Sequence, residues 1–148
     1  MKAPHCMSMA LISAALLTGC RSFESDWKTA EGQTRRTGTT AITGAWVGTW
    51  QNTNNTHSGP LRAVVWRVDD TRYRARFHAG WGRHSGSFRM TLKGQTTEDT
   101  FHFKGVKRIL GIPIRTDGEV GSQTFRANYT SMFDQGTFTL ERPVHAGQ

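Results

Sequence analysis

In the stretch YRARFHAGW, residues 73–81, side chains alternate without a break. Tyr73, Ala75, Phe77, Ala79 and Trp81 fall on one face, and Arg74, Arg76 and His78 fall on the other. A period of two is that of a half-buried β-strand, and it recurs along the chain. SFRMTL sets Phe88, Met90 and Leu92 against Arg89 and Thr91, and TFHFKG pairs Phe101 with Phe103. TFRANYTS aligns Phe125, Ala127 and Tyr129, GTFTLER aligns Phe138, Leu140 and Arg142, and AWVGTWQ aligns Trp46, Gly48 and Trp50. LRAVVWRV, which carries Trp66, is largely β-branched. No segment holds a 3.6-residue period over three turns, so the fold class is all-β.

Turn signals separate these runs: NTNNTHSGP, VDDTR, GRHSG, KGQTTED, RTDGEVG and FDQG. A spacing of roughly 8–15 residues suits antiparallel hairpins in a meander. Residues 42–143 are long enough for one modest core and for about seven or eight short strands. Closing such a sheet removes its exposed edges, which favours an up-and-down barrel over an open sandwich. Residues 144–148 are left as a disordered tail.

The chain begins differently. After Lys2, the run MSMALISAALL (7–17) is apolar apart from its serines. It is about eleven residues long, within the roughly 7–15 of a signal-peptide core and short of the ~20 that span a bilayer. It closes on Leu17-Thr18-Gly19-Cys20. This resembles the lipobox of bacterial lipoproteins, which implies cleavage before Cys20 and attachment of acyl chains to it. Residues 1–19 are then the signal peptide, and the chain is held at a membrane of the bacterial cell envelope. Arg21 in place of aspartate implies the outer membrane under enterobacteria-like sorting. Cys6 leaves with the signal and Cys20 is consumed by lipid, so no disulfide is expected. Residues 20–41 are polar and rich in Thr and Gly, and read as a flexible tether of roughly 25 Å root-mean-square span. Phe23 and Trp27 interrupt it, and could enter the headgroup region or dock on the domain.

The ends of the domain carry a second resemblance. Gly44-Ala45-Trp46 and Gly48-Thr49-Trp50 both match the Gly-x-Trp that opens the first strand of lipocalins and other calycins. There the indole packs on an arginine near the end of the last strand. The resemblance implies that Trp46 and Arg142 close a calycin-like barrel. ITGAW and GTWQN also resemble the first strand of avidin-type biotin binders, in which the asparagine after the tryptophan contacts ligand, implying Asn52. The following loop, TNNTHSGP, departs from that family.

Charge and site chemistry narrow the function. The 19 Lys and Arg exceed the 11 acids, a formal net charge of +8. Arg62, Arg67, Arg74 and Arg76 fall in neighbouring strands, where an outward face could grip anionic headgroups or envelope polymers. An envelope location and the lack of an RNA-stacking motif argue against nucleic acid. His57, His78, His84 and His102 lack metal-ligand spacing, Ser85 beside His84 lacks a nucleophile elbow, and Asp69, Asp70, Glu98, Asp99 and Asp117 read as turn residues. Neither catalysis nor a cofactor is expected. The aromatic bulk of the inward face should fill most of the interior, leaving a shallow mouth for a small apolar or amphipathic ligand. Its expected lining is Trp50, Asn52, Trp66 and Trp81.

Overall fold

Eight antiparallel strands, each hydrogen-bonded to its neighbour in chain order, close into a barrel in a computed structural model that describes residues 22–37 and 42–144. They are β1 (Gly44–Asn52), β2 (Ser58–Arg67), β3 (Arg72–Trp81), β4 (His84–Thr97), β5 (Thr100–Ile109), β6 (Ile112–Val120), β7 (Thr124–Thr130) and β8 (Gln135–Glu141). The expected signal segment, Cys20, Arg21, residues 38–41 of the expected tether and residues 145–148 of the expected tail lie outside the described residues.

The alternation read from the sequence builds the core. Trp46, Phe77, Phe101, Phe125 and Leu140 are fully buried inside the barrel. Phe125 meets Trp46, Phe77 and Phe103 edge-on at centroid distances of 5.6–6.0 Å, a geometry that places ring edges on π-faces. Tyr73 packs against Phe101 near one end, and Phe77 stacks on Phe88 toward the other.

The strand that turn chemistry hides is β6. RTDGEVG reads as a loop, yet Arg115–Val120 pair with β7, and Asp117 faces Lys104 and Asn128 in mid-sheet. Gly118 is there because of close approach: a Cβ would strike the carbonyl of Arg126 and the Cα of Ala127. The turn comes later, at residues 121–123. Gly94 serves β4 likewise, since a Cβ would collide with the His102 carbonyl, and KGQTT is strand up to a tight turn at Glu98 and Asp99. Those two residues have φ of 51° and 65°, the left-handed pair of a two-residue hairpin.

One seam is incomplete. The β4–β5 register runs only from Lys93↔Lys104 to Thr97↔Thr100, while β4 continues along β3 to His84 and β5 along β6 to Ile109. Met90 packs over this part of the seam from inside, its sulfur 2.7 Å from where a Cβ on Gly105 would stand.

The expected tether is largely a helix, α1 (Phe23–Thr37), laid against the outer wall. The Ser22 hydroxyl accepts from the Ser25 amide, Glu24 and Asp26 occupy the first turn, and Arg35 and Arg36 the last, as the helix dipole favours. Phe23, Trp27, Ala30 and Thr34 form a narrow buried stripe. That stripe is too sparse to dominate a window of polar residues. Tertiary contact supplies the rest: Phe23, Trp27 and Ala30 share a cluster with Ala45 and Val64, which pair across β1 and β2 on the outer face.

Candidate functional site: the barrel mouth

The hairpin turns at residues 53–57, 82–83, 110–111 and 131–134 all lie at one end of the barrel, here called the mouth. Just inside it is an apolar cavity of about 270 Å³. Trp50, Leu61, Ala79, Phe88, Ile114 and Phe138 form its wall, and Trp81 lies at its rim. The Trp50 indole N–H donates to the Gly80 carbonyl at 2.8 Å, which fixes the ring as part of the wall. On the wall towards the β4–β5 seam are Lys107 and Ile109.

Besides Lys107, three polar side chains meet the cavity: Tyr129, Asp134 and Thr116. The Tyr129 hydroxyl donates to the Asp134 carboxylate at 3.4 Å. Burial, with the Asp134 charge beside it, pushes the phenol up to about 12, so it keeps its proton at any physiological pH. Thr116 is 2% exposed and lines the cavity, and its hydroxyl has no protein hydrogen-bond partner among the described residues. An apolar chamber with an unsatisfied hydroxyl in its wall suits a ligand that is greasy along most of its length and carries one hydrogen-bonding atom. The volume lies slightly below the roughly 300–1,000 Å³ of drug-sized sites, enough for a slender chain or a single ring.

The residues singled out from the sequence divide here. Trp50 and Trp81 meet at the mouth. Trp66 does not: it faces outward opposite Arg74, near the far end of β2, because even-numbered β2 positions turn away from the core. Asn52 is buried, but its amide donates to Asp134 and its carbonyl accepts from the Asn54 amide at 2.7 Å. It ties the first hairpin to the last, and no ligand role is needed to explain its burial. Sequence reasoning missed Thr116, Tyr129 and Asp134. Thr116 lies in the segment read as a loop, and Asp134 resembled an ordinary turn residue.

At the opposite end, Arg142 closes the barrel. Its guanidinium lies 3.8 Å from the Trp46 ring centroid and donates to the carbonyls of Thr43, Ala45 and Ser122. Desolvation lowers it to about 10, so it remains charged at neutral pH. The Trp46 indole N–H donates to the Ile42 carbonyl at 3.0 Å.

The arginine face is altered by α1. Arg62 pairs with Glu24 and lies over the rings of Phe23 and Trp27. Arg76 reaches Asp26 at 2.6 Å, with both side chains largely buried. An expectation that Arg76 points freely into solvent is therefore corrected: the helix supplies its anion. Arg67 pairs with Asp70, while Arg74 is exposed on the outer wall. A larger concavity of about 1400 Å³ lies on the outer wall between β4 and β8, but it is an open trough lined by Lys93, Lys104, Asp117, Glu119 and Arg126. Charges of both signs there suit a hydrated wall.

No protein-family model, curated protein or solved structure matches the chain.

Proposed function

We propose that this chain is a lipid-anchored lipoprotein of the bacterial cell envelope whose barrel is a non-enzymatic binding module for a small amphipathic ligand. The observation that carries the reading is the Thr116 hydroxyl, buried against an apolar cavity without a protein partner among the described residues. An unmet buried polar group costs about 1–3 kcal/mol, a loss that a bound acceptor or donor would recover. The lipobox supports the anchor, and no helix among the described residues is long and apolar enough to cross a membrane. The alternative, an arginine face gripping anionic polymers or headgroups, retains Arg74 but shares Arg62 and Arg76 with α1.

Two experiments test the reading. Thr116→Val keeps the shape and removes the hydroxyl. It should raise stability by about 1 kcal/mol and reduce the ligand found by mass spectrometry of material copurifying with the chain. A loss of stability would mean that the hydroxyl is already satisfied. Separately, Cys20→Ala should leave an unacylated precursor; processing and acylation at the wild-type level would refute the lipobox reading.

A further inference from the structure

We infer that the mouth is a membrane-docking rim, with the β3–β4, β5–β6 and β7–β8 hairpin tips entering a lipid bilayer so that the cavity opens toward acyl chains. This deepens the anchored-module reading and rests on it only for how the barrel is brought to the surface.

Four large apolar side chains stand in water at these tips. Leu110 is 97% exposed, Met132 76%, Phe133 74% and Trp81 47%. Leu110 is the most telling. It occupies the hairpin turn with φ of 51°, followed by Gly111 at 81°. Asn, Asp or Gly suits that left-handed position, whereas leucine is disfavoured there. Folding thus gains from leucine neither in backbone conformation nor in burial. A bilayer would reward the side chain that the fold does not.

Charge favours the same partner. Arg83, His84, Lys107 and Arg108 lie at or just behind the tips. Among the residues of the four mouth turns the only acid is Asp134, already bonded to Asn52 and Tyr129. The opposite end exposes Val68 and Trp66, but beside a neutral turn at residues 121–123 its tips carry Asp69 and Asp70, paired with Arg72 and Arg67, and Glu98 and Asp99, which anionic lipid would repel. The chain's path agrees. The start of α1 lies toward the mouth, where Phe23 stacks on His78, and Thr34 lies at the far end beside Gly44. Cys20 precedes Ser22 by two positions. The β1–β2 loop, TNNTH, is polar, so the barrel should lean with its β5–β8 side deeper in the interface.

The test uses the full chain on phosphatidylglycerol vesicles with brominated acyl chains, read by tryptophan quenching. Trp81→Phe should remove most of the quenching, and Trp66→Phe should leave it. Leu110→Asn with Phe133→Asp should weaken the tip-dependent quenching roughly tenfold or more in lipid concentration, with melting temperature unchanged or raised. Three outcomes would overturn the rim: quenching that ignores the tip substitutions, quenching that follows Trp66, or a concentration-dependent dimer that those substitutions abolish. The mass of the chain separately reports acylation. An unacylated chain with tip-dependent quenching refutes the anchor and keeps the rim. An acylated chain with tip-independent quenching does the reverse.

Discussion

Trp46→Ala lowers the unfolding free energy by about 3–5 kcal/mol, as expected for an emptied, fully buried aromatic site. The indole fills the closed end, meets Phe125 at 5.9 Å and carries Arg142 on its face. Arg142→Ala removes that cation and strips donors from the Thr43, Ala45 and Ser122 carbonyls, for a loss of about 2–4 kcal/mol. The double variant should lose less than the sum, by about 0.5–2 kcal/mol, because either single change already abolishes the stacked contact. Denaturant melts of the four proteins provide the check, and strict additivity would show that the stack contributes nothing. Arg142→Lys should behave nearly as Arg142→Ala, since an ammonium cannot reach three carbonyls while lying flat on a ring.

Asp26→Ala releases α1 from the barrel wall. It leaves the Arg76 guanidinium without the carboxylate that meets it at 2.6 Å in a largely buried setting. Breaking such a pair costs about 3–5 kcal/mol if the structure cannot relax. Here it can, because the helix lifts and water reaches Arg76, so the loss is capped at the free energy of docking. The expected result is a roughly hundredfold faster cut by trypsin at Lys28, with the barrel melting almost unchanged. A large drop in barrel stability would instead make the helix part of the main cooperative unit. Acid should act in the same direction. The hydrogen bond from Arg62 holds the Glu24 carboxyl below its ordinary value. Its stabilising contribution is therefore present above the ordinary carboxylate range and is lost as pH falls through the lowered value.

The barrel was legible because its strands are half-buried, so that each inward aromatic sits between outward polar residues, as Phe77 does between Arg76 and His78. The same rule failed at β6. Asp117 and Gly118 carry turn chemistry, but here both pair with β7, which approaches Gly118 too closely for a side chain. The helix was illegible for another reason. Phe23, Trp27 and Ala30 bury themselves only because Ala45 and Val64 leave a shallow outer bed, and no local window contains both halves of that contact. Of the candidate site, Trp50 and Trp81 could be read from alternation and position. Thr116 could not, because what distinguishes it is a missing partner, and only packing in three dimensions defines that absence.

The short β4–β5 ladder gives the wall a direction of yield. Seven of the eight seams must break rows of backbone hydrogen bonds across most of their length to part, whereas this one is laced only beyond Lys93 and Lys104. Beyond that limit the Met90 thioether packs against Gly105 from inside. The mouth half of this wall therefore leans on side-chain packing, while its laced lower half and the Arg142 plug are held by hydrogen bonds.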